Sequence, residues 1–440
     1  MKKILLCTTA LVGFACSTMA AEDVKVSFCG SSKFEMGTKK QDSNHKAALS
    51  FSPNQKTTGF YTSQKAALKA EGKSDTLTYG AVLRLRVLGN GSDGMSDARN
   101  DRSHIYLDTD AGSVQLGSNF SASKLMQVDA STIASATGGV DGDWTNYGQS
   151  TFKTLGQYPT FTVNGQTVTG ALATANFIKS FGVTGVDTLA NRMDSNSESS
   201  RKVTYMSPRI SGLQLGVSFA PDFNNNGGSN VLTSNNFNAS GTKEYYSDLY
   251  FGLPVRIKNV WSFGLNYTNT FEDVNVALSV VADRGTAVRE NFNGSVTIES
   301  QKLVAAAGNA KFNDLKTYTV GGMVGKDGFS LAGSYSNDGK SLTPQNSTVK
   351  SSWWTTGVAY ENGPMSTSLT YLAGKKTYTA DGKNPSIKSQ ILSLGADYEV
   401  VAGLKPFAEV SMAQFKPTAM NGDKDKVKAT VFILGTKLKF

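Results

Sequence analysis

Two arginines flank a single leucine in an apolar part of the sequence. They are Arg84 and Arg86, in TLTYGAVLRLRVL (residues 76–88). Successive side chains of an extended chain point to opposite faces, so both guanidinium groups lie on one face and Leu85 lies on the other. Cations held together in this way attract anions and set the local concentration of ions. We therefore predict an electrostatic role for this pair.

Other residue types that carry chemistry are scarce in this chain. There are two histidines, His45 and His104, and His104 lies in RSHIYLDTD (102–110). Asp108 could orient His104, but no nucleophile stands beside them to complete a catalytic triad. No cluster with metal-ligand spacing and no phosphate-binding glycine motif is present. The sequence predicts no enzyme, no cofactor and no metal site. The positive charge is spread along the chain without the stacking modules of nucleic-acid binders, so no nucleic-acid partner is expected.

Alternation of side chains is the main structural signal after residue 22. In WSFGLNYTNTF (261–271), large apolar residues share one parity and small or polar residues share the other. This period of two predicts a strand with one apolar face. Sixteen stretches show the pattern and are predicted strands: 24–36, 59–71, 76–88, 102–110, 113–120, 201–207, 213–220, 261–271, 274–283, 317–324, 329–336, 353–360, 365–372, 390–398, 404–415 and 429–440.

Connections between these predicted strands alternate in length. The short ones are 72–75, 110–112, 208–212, 272–273, 325–328, 361–364 and 399–403. The long ones are 37–58, 89–101, 121–200, 221–260, 284–316, 337–352, 373–389 and 416–428. Short turns on one side, long loops on the other and an even number of strands are typical of a transmembrane β-barrel. We predict an exported all-β protein of this kind, with a large soluble β protein as the alternative.

The N-terminus has the features of a secretory signal peptide. Basic Lys2 and Lys3 precede the short apolar stretch 4–15, and Thr18-Met19-Ala20 offers small residues to a signal peptidase. We predict removal of residues 1–20, which leaves 21–440 as the exported barrel domain.

The three cysteines are divided by this predicted cleavage. Cys7 and Cys16 leave with the signal peptide, so Cys29 is predicted to have no disulfide partner. A lipoprotein attached at Cys16 is an alternative, which Gly13 disfavours because a bulky aliphatic residue is wanted there.

Arg84 and Arg86 are predicted to point into the barrel lumen. At the bilayer midplane each arginine facing lipid would cost roughly 2–4 kcal/mol. Further basic residues share this inward parity: Lys25, Lys33, Lys65, Lys69 and Lys202. Each single lysine is better explained as a water-facing residue of a wide barrel. The close spacing of the two arginines favours a role in the pore.

The connection 121–200 is far longer than ordinary loops, which suggests a function or a structure of its own. Asp129, Asp141 and Asp143 lie near its start, and FTVNGQTVTG (161–170) carries an Asn-Gly hairpin signal. Such a loop can hang outside a wide barrel or fold into it. Folded inward, its acidic residues would face the two arginines.

Short motifs spread over nearly the whole chain carry a resemblance to a known family. They are LTYGAVLRLRV (77–87), SHIYLDTDAGSVQLGSN (103–119), VTYMSPRISGLQLGVSFAPD (203–222), WSFGLNYTN (261–269), TGVAYENGPMSTSLTY (356–371), SLGADYEVVAGLKPFAEV (393–410) and LGTKLKF (434–440). In order and spacing the chain resembles the Gram-negative general diffusion porins, particularly their alphaproteobacterial-type branch.

This resemblance implies a 16-stranded antiparallel transmembrane β-barrel in the bacterial outer membrane, assembled as a homotrimer. It also implies that the third long loop, 121–200, folds inward and narrows the lumen. Acids among Asp129, Asp141 and Asp143 would then face a basic wall that includes Arg84 and Arg86. The terminal Phe440 resembles the signal that outer-membrane assembly machinery recognises. The expected surroundings are outer-membrane lipid and lipopolysaccharide.

The function expected is passive diffusion of small hydrophilic solutes and ions through a water-filled channel with a charged constriction. Because basic side chains dominate the predicted lumen, we expect a mild anion preference. One alternative is a solute-specific channel, which would need an aromatic track along the lumen, whereas most aromatic residues fall on the outward parity. Another is a surface adhesin or antigen that uses the barrel as an anchor, which the long asparagine-rich loops permit.

Overall fold

The structure is a computed structural model of the whole chain. It describes residues 17–21, 24–43, 57–88, 97–147, 160–163, 166–169, 200–223, 255–289, 296–298, 301–303, 313–341, 345, 350–377, 386–418 and 426–440, and the statements below refer to these.

Sixteen strands in the described part of the chain form a closed antiparallel barrel. They are β1 (Val24–Ser43), β2 (Thr58–Lys73), β3 (Thr78–Leu88), β4 (Asp97–Thr109), β5 (Gly112–Ser118), β6 (Arg201–Met206), β7 (Leu213–Asp222), β8 (Val255–Phe271), β9 (Val274–Arg289), β10 (Leu315–Lys326), β11 (Phe329–Gly339), β12 (Lys350–Asn362), β13 (Met365–Thr377), β14 (Ser386–Tyr398), β15 (Leu404–Thr418) and β16 (Val427–Lys439).

The first and last strands close the barrel. Each strand pairs with its neighbours in sequence, and β1 pairs with both β2 and β16, where Met36 lies opposite Phe60 and Leu434. Closure gives every strand two partners, so no row of backbone groups is left at an open edge. Ser17–Ala21 forms one more strand of the same sheet and pairs with Val24–Phe28 at the start of β1.

The outer surface of the barrel is apolar, whereas small and polar side chains line its inner surface. On β8, Trp261, Phe263 and Leu265 are exposed, whereas Ser262 and Asn266, which have the opposite parity, are buried. The same alternation puts an apolar band toward lipid and polar side chains toward the lumen. The predicted parity of β8 is therefore confirmed.

Every predicted strand overlaps an observed one, and several observed strands are longer. Strand β1 was predicted to end at residue 36 and continues to Ser43, while β13 was predicted to end at 372 and continues to Thr377. The added residues, such as GTKKQDS in β1, are polar on both faces. Beyond the lipid band neither face has to be apolar, so periodicity does not reveal these ends.

The connections also follow the predicted asymmetry, with tight turns at one end of the barrel. Between β10 and β11, Asp327 and Gly328 have φ values of 50° and 83°. Two successive positive φ angles are required by a two-residue type I′ hairpin. Most residues of the predicted long connections lie outside the described residues. Two of those connections contain short hairpins, Thr160–Val163 with Gln166–Thr169 and Val296–Ile298 with Gln301–Leu303. The first is the hairpin predicted from the Asn-Gly signal.

Cys29 is disulfide-bonded in the full chain, whose other cysteines, Cys7 and Cys16, precede the predicted cleavage. The prediction of an unpaired Cys29 therefore applies only to a chain that has lost residues 1–20, and that cleavage stays a prediction.

No helix among the described residues is long and apolar enough to cross a membrane.

Candidate pore constriction

Residues 121–147 of the long connection after β5 lie inside the barrel, and we call them the inner segment. The segment contains the short helix α1 (Ala122–Met126) and three 3-10 turns: Ala130–Ile133, Gly139–Asp141 and Asp143–Asn146. Helix α1 contacts β6–β9, and the turns contact β11–β15 and β16 in succession. The described part of the connection therefore follows the inner wall around much of the barrel.

Side-chain hydroxyl groups of the wall bind the inner segment through its backbone. Five backbone N–H groups of the segment donate to serine or threonine oxygens at distances of 2.7–3.1 Å. The pairs are Ala122 with Ser218, Val128 with Ser279, Ala130 with Thr355, Ser135 with Ser368, and Val140 with Thr370. These bonds satisfy backbone donors that β-structure does not pair, which allows an irregular segment to be buried.

Glycine on the same wall allows this close approach. A Cβ atom on Gly321 of β10 would overlap the carbonyl oxygen of Val128. Four more inward glycines would place a Cβ atom within 3.3 Å of the segment: Gly216, Gly264, Gly357 and Gly395. The wall of β7–β14 is therefore shaped for the inner segment rather than for open water.

Carboxylates hold the middle of the inner segment against β14 and β15. Ala136 N–H donates to Asp397 at 2.9 Å, and Thr137 donates to Glu409 from its hydroxyl at 2.7 Å and from its backbone at 3.1 Å. Lys437 of β16 donates to the carbonyl oxygen of Ala136. Because Glu409 is 1% exposed, its carboxyl group binds Thr137 inside the packed wall and does not face the water of the lumen.

The end of the inner segment is anchored to β1. Asp143 forms an ion pair with Lys33, which also pairs with the buried Glu35 at 3.1 Å. The Tyr147 hydroxyl donates to Glu35 Oε1 at 3.2 Å. Burial, followed by the negative charge of Glu35, raises the pKa of Tyr147 above its ordinary value, so this phenol stays protonated as a donor.

Arg84 and Arg86 meet a carboxylate on the neighbouring strand. Both pair with Asp101 of β4, and Arg84 is buried while Arg86 is half-buried. Leu83 and Leu85 of the same strand are exposed on the outer surface, at 42% and 43%. The two arginines thus lie on the inner face, together with an acid that sequence reasoning missed.

The predicted lysines have different surroundings. Lys69 pairs with Glu71 at 2.6 Å, and Lys25 is exposed. Lys65 lies opposite Arg86 in the β2–β3 register. Lys202 is buried, and it donates to the carbonyl oxygens of Asn119 and Ser200. Lys202 therefore binds the beginning and the end of the connection that carries the inner segment.

The three predicted acids also differ. Asp129 caps the turn Ala130–Ile133, accepting from Ser131 N–H at 2.8 Å, and Asp141 is exposed. Asp143 is the one that meets a predicted basic residue, and that residue is Lys33. The structure brings Lys33 and Asp143 together and gives Arg84 and Arg86 a partner within the wall. The roles of all these residues in a pore stay predictions.

Phe440 completes the barrel seam next to β1. Its backbone N–H and carbonyl group form hydrogen bonds to Gly30 at 3.1 and 2.8 Å, and its ring lies 6.2 Å from that of Phe28.

The ring of His104 lies 6.4 Å from that of Tyr106, and no group of residues suited to a metal occurs in the described ranges.

Comparison with known families identifies the barrel. Residues 7–418 match the model of the Gram-negative porin family. The chain belongs to this family. It is a porin of the outer membrane, where its sixteen-stranded barrel forms a channel. Porins and their fold are typically channels rather than enzymes.

Known proteins similar to the porin include relatives in sequence and solved structures of similar fold. The porin is 28% identical to an uncharacterized protein of Rickettsia prowazekii over the full length of both chains. It is similar in fold to OmpT, an outer membrane protein of Vibrio cholerae, in an in-vitro folded trimer form and in a mutant lacking loop L8. Each comparison has a TM-score of 0.53 and 12% identity and covers 95% of this chain and 100% of OmpT.

Proposed function

We propose that this porin lets small hydrophilic solutes and ions diffuse passively through a charged constriction with a mild anion preference. The observation that carries the proposal is the unequal lining of the barrel. The inner segment covers the serine, threonine and glycine wall of β7–β14, while the predicted basic residues concentrate on β1–β3. In a closed barrel of sixteen strands, β2 and β10 lie on opposite sides. We infer that the open pathway runs beside the basic wall.

Burial of acidic side chains gives further support to a preference for anions. Several carboxylates of the inner face are buried, namely Glu35, Asp101, Asp283, Asp338 and Glu409. By contrast, Lys25 is exposed, and Lys65, Lys69 and Arg86 are half-buried. Charges that reach the water of a channel set the local concentration of ions, so the accessible charge of the β1–β3 wall is mainly positive, while Asp141 of the inner segment is the exposed acid that opposes it.

Planar-bilayer recordings of the refolded protein test both parts of the proposal. We expect conducting channels whose reversal potential in a KCl gradient indicates a mild preference for chloride. Arg84→Ala/Arg86→Ala should weaken or abolish that preference. Lys326→Ala, at an exposed strand end near a tight turn, should leave it unchanged. Absence of channels would refute the proposed diffusion, whereas channels with clear cation preference would refute only the sign of selectivity.

A solute-specific channel is a weaker candidate. An aromatic track for sugars needs ring faces that are open to the lumen, but three inner aromatic rings are each in contact with a cationic side chain of the protein itself. Lys33 lies 5.2 Å from the Tyr61 ring centroid, Lys69 lies 5.5 Å from that of Tyr106, and Arg102 lies 3.7 Å from that of Phe120. Saturable block of single channels by one sugar would favour this candidate instead.

The adhesin alternative concerns a loop outside the described residues. Deletion of 224–240 with unchanged conductance and lost cell binding would favour it.

The remaining assignments accompany the channel proposal. We infer a homotrimer, which the trimer form of OmpT supports. Contact with lipopolysaccharide, removal of residues 1–20 and recognition of Phe440 by assembly machinery belong to the same proposal. Cross-linking in native outer membranes tests the trimer, and N-terminal sequencing of the mature chain tests cleavage after Ala20.

A further inference from the structure

A β-bulge in β4 brings Asp101 to the inner face of the barrel. Arg84 lies opposite Arg102 in the β3–β4 register, but the next residue, Leu85, lies opposite Asn100. Asp101 is the extra residue of this irregularity. In a regular strand it would share the parity of Ile105 and Leu107, which are exposed on the outer surface. A bulge re-aims a side chain in this way.

Once re-aimed, Asp101 is enclosed by the two arginines. Its Oδ2 atom pairs with Nη2 of Arg84, and its Oδ1 atom pairs with Nη2 of Arg86 at 2.5 Å. The Asp101 side chain is 3% exposed, against 9% for Arg84 and 27% for Arg86. The carboxylate thus lies behind the guanidinium groups, and Arg86 is the most accessible of the three.

We propose that Asp101 is a positioning residue that limits the anion preference of the pore, an inference that rests on the charged constriction proposed above. Two fixed cations with a carboxylate behind them present a smaller positive field than two free cations. The carboxylate also holds both guanidinium groups against the wall, which keeps them out of the pathway. A pore with Arg84 and Arg86 but without Asp101 would select anions more strongly.

The first test compares Asp101→Asn with the wild-type porin by reversal potential in a KCl gradient. Removing one negative charge beside the pathway should raise the chloride-to-potassium permeability ratio by about two- to fivefold. The increase should shrink as salt concentration rises, because ions screen exposed charges. Asp101→Glu keeps the charge and should return the ratio toward the wild-type value. An Asp101→Asn channel with an unchanged ratio would show that the carboxylate has only a structural role.

Two further variants keep the inference testable. Asp108→Asn removes a carboxylate on the inner parity of the same strand, paired with Ser113 and away from the arginines. It should change the ratio less than Asp101→Asn, and an equal change would overturn the inference. If Asp101→Asn does not assemble, Arg86→Gln provides the opposite change, because it removes one positive charge. The permeability ratio should then fall about two- to fivefold, and an unchanged ratio would again overturn the inference. Absence of wild-type channels would instead contradict the proposed function.

Discussion

Lys33 on β1 pairs with Asp143 of the inner segment, 110 residues further along the chain. This ion pair holds the turn Asp143–Asn146, the last described turn of the inner segment, against the first strand of the barrel. Lys33 also neutralises Glu35, whose side chain is fully buried. One lysine therefore links barrel closure to the position of the inner segment.

Lys33→Met should destabilise the barrel more than Asp143→Asn. Losing Lys33 leaves Glu35 buried without its cation, and breaking a buried pair from one side costs about 3–5 kcal/mol. In Asp143→Asn, Lys33 keeps Glu35 at 3.1 Å, so the loss should be smaller. Urea titration of the refolded protein in detergent gives the free energy of unfolding. Lys25→Met, at an exposed position of the same strand, is the matched control and should change little. Equal losses for the two test variants would contradict the assigned role of Glu35.

Gly321→Ala should displace the inner segment, whereas Gly322→Ala should not. The methyl group at 321 would overlap the Val128 carbonyl oxygen on the lumen side. At 322 it would point outward and meet the flexible end of Leu278 at 3.0 Å. Overpacking of this kind costs about 1–3 kcal/mol. We expect Gly321→Ala to lower both the free energy of unfolding and the single-channel conductance, measured beside Gly322→Ala. Similar behaviour of the two variants would mean that Val128 does not lie against β10.

Thr355→Val and Thr356→Val form a second matched pair on one strand. Thr355 accepts a hydrogen bond from Ala130 N–H at 3.1 Å and bonds to Ser334 at 2.8 Å. Valine keeps the shape but leaves a buried N–H without a partner, which costs about 1–3 kcal/mol. Thr356 has the outward parity of the exposed Trp354 and Val358, so valine there should be neutral or stabilising. Chemical denaturation of both variants in the same detergent measures the difference. A greater loss for Thr356→Val would place the hydroxyl wall on the wrong face.

Phe440→Ala should impair assembly more than Phe432→Ala. Both aromatic side chains lie on the outer face of the last strand, with 44% and 36% exposure, so their contributions to burial are similar. A recognition signal at the C-terminus would make Phe440 alone important. The readout is the heat-modifiable gel migration of each variant extracted from outer membranes. Normal assembly of Phe440→Ala would reduce Phe440 to an ordinary strand end, held by its backbone bonds to Gly30.

Much of the barrel could be predicted from local pattern. Alternation identified all sixteen strands, because each strand has one face toward lipid and one toward water, and that difference repeats every second residue. The same reasoning placed Leu83 and Leu85 outside and Arg84 inside. It failed at strand ends such as 37–43, since both faces are polar there.

Contacts between side chains of different strands could not be predicted in the same way. Asp101 has the wrong parity, and only a bulge in the β3–β4 register turns it toward Arg84 and Arg86. A signal for the inner segment was nevertheless present, because serine, threonine and glycine dominate the inward parity of β7–β14. A wall of such small residues indicates that backbone approaches it closely.

The sequence by itself determined that apolar and polar side chains alternate along the strands. It also determined that short turns and long loops alternate between them, and these two properties together specify a porin barrel. Those properties depend on each residue and its near neighbours. Only the tertiary structure decided that Lys33 pairs with Asp143 and that Asp101 lies behind the arginine pair. These contacts depend on register, on one bulge and on the path of an irregular segment through a closed lumen. Such features arise from the closure of all sixteen strands together, and the two-residue alternation of side chains within one strand does not indicate them.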